Sequence, residues 1–592
     1  MSIDTIPSRL FRQAETRPHR PAYYEKVGDR WAPTQWKDYA AQVKSAAKSL
    51  IALGLEPDGT VAILGFNTPE WAVFDLACMA AGGAPAGIYT TCSPPEVQYI
   101  IEHAEASIVL LEEASQWEKV KEVRENLPLL KHVVMMKKSE AIDDPMVMTW
   151  EDFLAQGEDV EDSVFDERMA NLKPDQKATF IYTSGTTGPP KAVMLSHHNL
   201  VWTVDSCLQV VQFGAEDSSL SYLPLSHIAE QMFTLHVPIS AGSQVYFAES
   251  IAKVPDNVKE VQPTVFFGVP RIWEKFHAGV SSKLKEAPAL RKKIANWAMS
   301  VGTRVNALRN KGKEPTGVLA FQYKLANKLV FSKLKPRLGL GRARYCVSGA
   351  APIAKEIIEF FAGLDLSILE VYGQSEGSGP STINQPGRTR FGSVGLPIPG
   401  AEVKIAEDGE ILVKGGNVFL GYYKDEAATN DTLNDGWLYS GDLGSYDKDG
   451  FLFITGRKKD IIITAGGKNI APKNIEHAIK NNELVGEAVV IGDRRKYLSA
   501  LVTLDPEACE AYANANGLPN DNLHESAEIQ ELIEEHIQNY VNPQFARVEQ
   551  IKKFHVLHRP LSIEDGELTP TLKVKRNKVS TNFADEIESM YT

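Results

Sequence analysis

The sequence predicts an α/β protein in two domains, and two features of the chain support this fold class. Short apolar runs alternate with helical patterns between residues 36 and 111, an alternation typical of a parallel sheet covered by helices. A chain of 592 residues is also too long for one hydrophobic core. We therefore predict a large N-terminal domain, residues 1–456, of parallel-rich sheets, helices and a β-rich part, and a small C-terminal α+β domain, residues 457–592.

The individual elements follow from periodicity and from the residues at their ends. Residues 36–53 repeat apolar side chains at helical spacing, and Gly54 stands where a C-terminal cap belongs. Thr68 is typical of an N-cap, with Pro69 at the first helical position. The remaining predicted elements are strands at 60–65, 84–89, 107–111, 180–182, 265–270 and 345–348, a helix at 95–103, a glycine-rich β-like region at 392–450, and a buried helical stripe at Ile529, Leu532, Ile533, Ile537 and Val541.

Composition and charge exclude several classes of protein. The net charge of −13 argues against a nucleic-acid binder. The five cysteines are scattered and form no CxxC pair, which favours a reducing compartment without disulfides or a zinc site. No apolar stretch typical of a signal peptide follows Met1, and the most apolar segment, residues 73–89, is short for a membrane span. We expect a cytoplasmic protein.

A loop of small and hydroxylated residues follows the predicted strand 180–182. Its glycines permit tight turns with positive φ, so that backbone N–H groups can converge on an anion, and its hydroxyls and lysine add further donors. The loop lacks the GxxxxGK[ST] spacing of a Walker A loop, and a flexible turn is the alternative interpretation. The candidate phosphate-binding residues are Thr183, Ser184, Gly185, Thr186, Thr187, Gly188 and Lys191.

Two later strands end in small-residue turns, where ligands bind to parallel sheets. The first is followed by Gly349 and Ala350. The second is followed by Tyr372, whose flat ring suits a nucleotide base, and by Glu376, a hard oxygen ligand suited to Mg²⁺.

Two single residues each allow two interpretations. His227 follows a strand-like run, and a lone histidine is usually a satisfied surface or core residue. Asp442 lies in a turn that it could cap, or its carboxylate could accept hydrogen bonds from ribose hydroxyls.

A basic segment occupies residues 281–344. It contains 16 Lys or Arg and two Glu, a net charge of +14, so the rest of the chain carries −27. A solvated helical face is one interpretation, and a patch that meets anionic lipid headgroups or an anionic substrate is the other.

Six motifs, in this order, resemble those of the adenylate-forming superfamily of acyl-CoA synthetases, firefly-type luciferases and peptide-synthetase adenylation domains. They are YTSGTTGPPK, SGAAP, VYGQSEG, YSGD, GRKKD and LTPTLK, and the resemblance spans residues 20 to 580. SYLPLSHIAEQM, FFGVPRIWEK and GYYKDE are further similar to long-chain fatty acyl-CoA synthetases of the bubblegum type.

The resemblance implies an ATP-dependent ligase that converts a fatty acid to acyl-AMP and then to acyl-CoA. By matching position, Thr183 and Glu376 hold Mg²⁺ and the loop 183–191 wraps the β- and γ-phosphates of ATP. Asp442 binds the ribose, Arg457 reaches the ribose or a phosphate, and Lys573 bridges the acyl carboxylate and the α-phosphate. His227 orients the carboxylate or gates the acyl tunnel. The adenine slot is assigned to Gly349, Ala350, Tyr372, Gly373, Gln374 and Ser375.

The resemblance also implies that the small domain rotates about a hinge for transfer to CoA. Lys459 matches the hinge, and Gly466 and Gly467 match a loop that enters the site. Residues 567–576 form a basic, turn-like stretch predicted to be exposed, in which Leu572 replaces the glycine that much of the superfamily has before the lysine. A homodimer and peripheral membrane contact are further expectations. The alternatives are a fatty acyl-AMP ligase that serves a carrier protein, a catalytically silent lipid-binding or scaffold protein, and a luciferase-like oxygenase.

Overall fold

The computed structural model describes residues 4–183 and 188–592. They divide into two compact units. The first comprises residues 4–183, 190–404 and 412–439, and the second comprises residues 188–189, 405–411 and 440–592.

An eight-stranded sheet organises the first unit. Its six strands from Lys177–Thr183 to the far edge are mutually parallel. On the other side, Lys191–Ser196 pairs antiparallel with Lys177–Thr183, and Gly421–Tyr422 pairs antiparallel with Lys191–Ser196. In spatial order the strands are Gly421–Tyr422, Lys191–Ser196, Lys177–Thr183, Ala84–Ile88, Thr60–Leu64, Ile108–Leu111, His132–Met135 and Val147–Met148.

Two smaller sheets complete the first unit. One orders the strands Val265–Gly268, Tyr345–Ser348, Ile368–Gln374, Gly379–Ile383 and Leu396–Pro397, of which the first three are parallel. The other orders Ser218–Ser221, Gln244–Phe247, Pro21–Val27 and Arg30–Gln35.

The helices of the first unit begin and end where local chemistry favours it. Thr68 caps the helix Pro69–Ala80 by accepting a hydrogen bond from the Trp71 amide, and every residue of this helix is buried. The other helices are Ile6–Thr16, Trp36–Ala52, Pro94–His103, Ala114–Val123, Trp150–Ala155, Asp162–Ala170, His197–Val210, Ile228–Gln231, Val237–Ala241, Val254–Val261, Pro270–Glu286, Ala289–Arg309, Gly317–Ala326, Ser332–Arg337, Lys355–Gly363 and Glu426–Thr432, with π turns at Met232–His236 and Asn327–Phe331.

The second unit is an α+β arrangement. Its three-stranded sheet orders Val485–Ile491, Leu498–Leu504 and Ile551–Val556, beside the hairpin Ile462–Ile463 and Asn469–Ile470. Its helices are Pro472–Lys480, Pro506–Asn516, Ala527–His536, Arg576–Asn582 and Ala584–Ser589. Leu452–Arg457 pairs antiparallel with residues 442–446. Where the chain passes between the units, the strands are Glu402–Ile405, Glu410–Lys414, Leu433–Asn434 and Trp437–Tyr446.

The predicted fold class is confirmed, because parallel strands alternate with helices and an α+β unit follows. Of the predicted stripe in the small domain, Ile529, Ile533, Ile537 and Val541 are buried in the core of the second unit. In the described part of the chain, no helix is long and apolar enough to cross a membrane.

Two fully buried histidines lie beside the strand and helix that lead to the candidate site. His197 begins the helix after Lys191–Ser196, and His236 ends the π turn after Ile228–Gln231. Their ring nitrogens have no hydrogen-bond partner among the described residues. Burial lowers the pKa of His197 to about 3, and burial together with the charge of His197 lowers the pKa of His236 to about 3.

We predict that His236→Gln changes how stability depends on pH. The unfolded chain protonates His236 below its ordinary pKa of about 6.5, whereas the folded state protonates it only near pH 3, so wild type loses up to about 1.4 kcal/mol per pH unit from this group on acidification. Buried Glu230 and Glu370, with pKa values raised to about 7 and 8, act in the opposite direction. The informative quantity is therefore the difference in the free energy of unfolding between the variant and wild type at each pH.

Urea unfolding between pH 7 and pH 5 measures this difference. The variant should gain on wild type by about 0.7 kcal/mol from pH 7 to pH 6 and by about 1.2 kcal/mol from pH 6 to pH 5, because the unfolded histidine is only partly protonated near pH 6.5. His198, which follows His197 in the chain and is exposed, provides the control, since His198→Gln should show no such gain in stability. A pH-independent difference for His236→Gln would contradict the neutral, buried state of this histidine.

Candidate active site

The candidate phosphate loop joins two antiparallel strands of the eight-stranded sheet. Thr183 ends one strand and lies opposite Lys191, the first residue of the next, and its hydroxyl donates a hydrogen bond to the Lys191 carbonyl at 3.3 Å. The chain turns back here through Gly188, whose φ of 106° suits glycine. The predicted loop residues Ser184, Gly185, Thr186 and Thr187 lie outside the described residues.

Tyr422 connects this hairpin to the candidate metal ligand. It lies on the short strand that pairs with Lys191–Ser196, opposite Val193. Its hydroxyl donates a hydrogen bond to Oε1 of Glu376 at 2.7 Å, and the Lys191 ammonium lies 4.8 Å from the centre of its ring. Lys191 also lies 3.9 Å from the carboxylate of Asp425. The structure therefore brings Thr183, Lys191 and Glu376 to one edge of the sheet.

Sequence reasoning missed Tyr422 as a site residue. The signal was available, because GYYKDE stood out as a motif. The residue's role depends on strand pairing and could not be assigned from the motif alone.

The predicted adenine-slot residues lie where two parallel strands end. Gly349 and Ala350 follow the strand Tyr345–Ser348, and Tyr372 lies near the end of the adjacent strand Ile368–Gln374. A Cβ at Gly373 would lie 1.7 Å from the carbonyl oxygen of Gly379, so only glycine fits there. Ala350 is exposed and has a φ of 66°, a left-handed conformation uncommon for a residue with a side chain.

The adjoining motif residues form a tight turn. Gln374 lies opposite Gly379 in an antiparallel pair, and Ser375 is buried and accepts a hydrogen bond from the Ser378 amide at 3.0 Å. The side chain of Glu376 projects from this turn towards Tyr422.

His227 is the N-cap of the helix Ile228–Gln231. Its Nδ1 accepts a hydrogen bond from the Ala229 amide at 3.1 Å, which fixes the neutral ring with its proton on Nε2. The preceding loop is held by buried Asn67, which donates to the Leu223 carbonyl at 2.7 Å, and by buried Glu230, which accepts from the Tyr222 amide at 3.0 Å. This polar network fixes the segment that carries His227.

Asp442 and Arg457 face each other on paired strands of the second unit. Their side chains form an ion pair at 3.6 Å. The next residue, Lys458, pairs with Asp408 at 2.6 Å and with Glu410 at 2.9 Å. The hydrogen bonds that the Lys458 ammonium donates to Asp408 and Glu410 raise the pKa of Lys458. Lys459, the predicted hinge residue, is exposed in the following 3₁₀ turn.

The predicted glycine loop of the small domain is a hairpin tip. Gly466 and Gly467 are exposed between the strands Ile462–Ile463 and Asn469–Ile470, and Gly467 has a φ of 72°. Among the described residues, no heavy atom other than those of Gly467 and its two chain neighbours lies within 4 Å of the position of a Cβ there. The glycine is therefore needed for its backbone conformation and not for close packing.

Lys573 lies in a compact loop closed by its own backbone. The Thr569 amide donates to the Lys573 carbonyl at 2.8 Å, and the Lys573 amide donates to the Thr569 hydroxyl at 3.0 Å. Lys573 is exposed, and Leu572 before it has a φ of 59° with 66% of its side chain exposed. The position where the superfamily often has glycine therefore keeps a left-handed backbone even with leucine.

Glu567 anchors this loop. The prediction that the whole stretch 567–576 is exposed is wrong, because Glu567 and Thr569 are fully buried. The Glu567 carboxylate accepts two hydrogen bonds from Arg559, at 2.7 and 2.8 Å, and one each from Asn582 and the Ser562 amide. Burial opposes ionisation, but these hydrogen bonds hold the pKa of Glu567 below its usual range.

Comparison with known families identifies the class of enzyme that has this fold and these motifs. Residues 10–423 match the model of the AMP-binding enzyme family, and residues 459–592 match that of the AMP-binding enzyme C-terminal domain. The chain belongs to the AMP-binding enzyme family.

Within this family, the chain is similar to relatives that are named for one activity. Long-chain-fatty-acid–CoA ligase ACSBG2 of Xenopus laevis is 38% identical, covering 96% of this chain and 81% of that protein. The human protein of that name is 37% identical and covers 99% of this chain and 92% of its own length. ACSBG1 of Macaca fascicularis is 37% identical and covers 96% of this chain and 82% of its own length. The resemblance to the adenylate-forming superfamily and to its bubblegum-type members is thereby confirmed.

Solved structures agree on the fold. The anthranilate CoA ligase AuaEII in complex with anthranoyl-AMP matches with a TM-score of 0.72 at 19% identity, covering 100% of this chain and 98% of that one. The adenylation domain of a carboxylate reductase from Mycobacterium chelonae matches with a TM-score of 0.77 at 21% identity, covering 99% and 91%.

We predict that Glu567→Ala destabilises the second unit. The change removes the fully buried carboxylate that Arg559, Asn582 and the Ser562 amide share as an acceptor, which should lower the free energy of unfolding by about 2–3 kcal/mol. Denaturant unfolding measures the loss. Glu564, exposed in the same loop, provides the control, and Glu564→Ala should change stability by less than about 0.5 kcal/mol. Equal effects of the two substitutions would contradict the anchoring role of Glu567.

Proposed function

We propose that this chain is a long-chain fatty acid–CoA ligase that works through an acyl-AMP intermediate. The observation that carries this proposal is 37–38% identity, over 96–99% of the chain, to relatives named for that activity. Thr183 lies opposite Lys191, and Lys191 and Glu376 both contact Tyr422. This arrangement supports the proposal, because these groups suit a triphosphate and its metal.

The first half-reaction joins two anions. The fatty carboxylate attacks the α-phosphate of ATP, a P–O bond to the leaving group breaks, and pyrophosphate departs. Charge neutralisation and in-line alignment lower this barrier. Lys191 and the loop 183–191 would bind the β- and γ-phosphates.

The residues present fit Mg²⁺. Glu376 and Thr183 offer hard oxygen atoms, and the described residues contain no cluster of three or more His, Cys, Asp or Glu that could hold a metal alone. Mg²⁺ suits such a sparse set, because it keeps several waters and binds substrate phosphates. When bound, it would neutralise phosphate charge, with Tyr422 orienting the Glu376 carboxylate.

The residues proposed to bind the nucleoside lie at the ends of the strands Tyr345–Ser348 and Ile368–Gln374 and in the ion pair of Asp442 with Arg457. Tyr372 would stack on adenine, with Gly349, Ala350, Gly373, Gln374 and Ser375 lining the slot. Asp442, oriented by Arg457 at 3.6 Å, would accept hydrogen bonds from the ribose hydroxyls.

Lys573 would contact the acyl carboxylate and the α-phosphate and stabilise the charge of the pentacoordinate transition state. Its exposure on a loop fixed by Glu567 leaves the ammonium accessible to substrate. His227, with its proton on Nε2, would donate to the fatty carboxylate and orient it.

In the second half-reaction the CoA thiol attacks the acyl carbonyl of acyl-AMP, and AMP leaves as the C–S bond forms. We assign residues 1–456 and 457–592 as the domains that rearrange between the two steps. Lys459 would be the hinge, and Gly466 and Gly467 would enter the CoA side of the site. A cytoplasmic location and a homodimer stay predictions.

Activity assays distinguish this proposal from its alternatives. With ATP, Mg²⁺ and palmitate, we expect AMP release that requires CoA, with palmitoyl-CoA as product. AMP or pyrophosphate release that ignores CoA would instead indicate a carrier-protein acceptor. No release across a range of fatty acids would indicate a protein that only binds lipid.

A matched pair of lysine variants supplies the control for this experiment. Lys573→Ala should slow adenylation by about a hundredfold or more, because it removes a cation aimed at the transition state. Lys578→Ala, an exposed change near the same loop, should leave adenylation near the wild-type rate. Near-normal adenylation by Lys573→Ala would refute the role of Lys573.

A further inference from the structure

A row of exposed apolar side chains runs along one face of the helix Gly317–Ala326 and the π turn Asn327–Phe331 that continues it. Residues spaced three or four apart share a helical face. The exposed fractions are 74% for Val318, 70% for Phe321, 40% for Leu325 and 42% for Leu329, and we call these four residues the apolar stripe.

The other side of this helical segment is anchored in the first unit. Ala326 and Phe331 are buried in a cluster with Val301 and Val305 of the helix Ala289–Arg309. Arg304 of that helix also donates to the side-chain oxygen of Gln322 at 3.0 Å. The stripe is therefore displayed by a packed helix, and its exposure does not come from a frayed end.

Positive charge surrounds the stripe without compensating negative charge. Residues 317–337 contain five Lys or Arg and no Asp or Glu. Lys335 is paired with Asp365 at 2.5 Å. The other four are exposed, and none forms an ion pair with a carboxylate within residues 4–183 and 188–592; they are Lys324, Lys328, Lys333 and Arg337.

We propose that the apolar stripe and these four cations dock the protein on the surface of an anionic lipid bilayer. A helix that joins an exposed apolar face to Lys and Arg lies in the membrane interface, with its apolar side chains among the acyl chains and its cations at the headgroups. Each cation near an anionic surface adds to the attraction, and this contribution is larger at low salt.

The positive charge of residues 281–344 favours an anionic membrane over a second copy of the chain as the binding partner. Two copies meeting through this face would bring together two segments of net charge +14, which repel each other. An anionic bilayer attracts this segment and repels the remainder of the chain, whose charge is −27. The protein therefore docks in one orientation. Docking needs no catalytic step, so vesicle binding tests it separately from the ligase activity.

Co-sedimentation of the full chain with phosphatidylcholine vesicles, with and without phosphatidylserine, measures the docking. Wild type should bind the phosphatidylserine vesicles at low salt and release as salt rises. Val318→Ser/Phe321→Ser should weaken binding about tenfold or more, because two side chains no longer enter the acyl region. The control, Val27→Ser/Ile251→Ser, alters side chains 63% and 60% exposed elsewhere and should bind as wild type.

A second pair of variants separates local charge from net charge. Lys324→Glu/Lys328→Glu should abolish binding. Lys37→Glu/Lys173→Glu makes the same change in net charge at exposed positions outside residues 317–337 of the first unit, and at about 0.1 M salt it should bind within about threefold of wild type, because charges more than about 10 Å from the bilayer are screened. Adenylation of a soluble short-chain fatty acid should be equal in all four variants, because none alters a proposed site residue.

Several outcomes overturn the proposal. They are no binding at low salt, equal binding by the stripe variant and wild type, or equal loss in both charge variants. A dimer that sedimentation detects in wild type and not in Val318→Ser/Phe321→Ser would identify the stripe as a contact between copies, also against the proposal.

Discussion

The phosphate side of the site depends on one tyrosine with two neighbours of opposite charge. The hydroxyl of Tyr422 is 2.7 Å from the Glu376 carboxylate, and the Lys191 ammonium is 4.8 Å from its ring centre. One side chain therefore contacts both the carboxylate and the cation and orients the two groups relative to each other. The strand that carries Tyr422 pairs with the strand that begins at Lys191, so the sheet itself sets this geometry.

Backbone conformation defines other parts of the site. Gly373 allows the main chain at Gly379 to approach more closely than any side chain would permit. Ala350 and Leu572 hold left-handed conformations that cost about 1–2 kcal/mol each and are maintained by the structure around them. For the loop of Lys573, that support comes from buried Glu567 and its pairing with Arg559. Strain of this kind is common where a loop must present a functional group.

Much of this fold could be predicted from the sequence, because its signals are local. Thr68 and Pro69 mark the start of a helix, and apolar runs that alternate with helical spacing mark the parallel sheet. Contacts between distant segments left no such signal. Tyr422 meets Glu376 only through strand pairing, and Glu567 is buried only because Arg559 and Asn582 fold against it. Residues 567–576 were predicted to be exposed from their charged composition alone. Glu567 is nevertheless buried, because Arg559 pairs with its carboxylate.

The most direct test of this account removes one oxygen atom. Tyr422→Phe keeps the ring beside Lys191 and deletes the hydrogen bond to Glu376, and fatty-acid-dependent exchange of pyrophosphate into ATP, measured across Mg²⁺ concentrations, reports the effect. Because a hydrogen bond to a charged group contributes about 1.5–3 kcal/mol, the exchange rate at limiting Mg²⁺ should fall at least about tenfold. The loss should be smaller at saturating Mg²⁺. Wild-type exchange at every Mg²⁺ concentration would contradict the central role given to Tyr422.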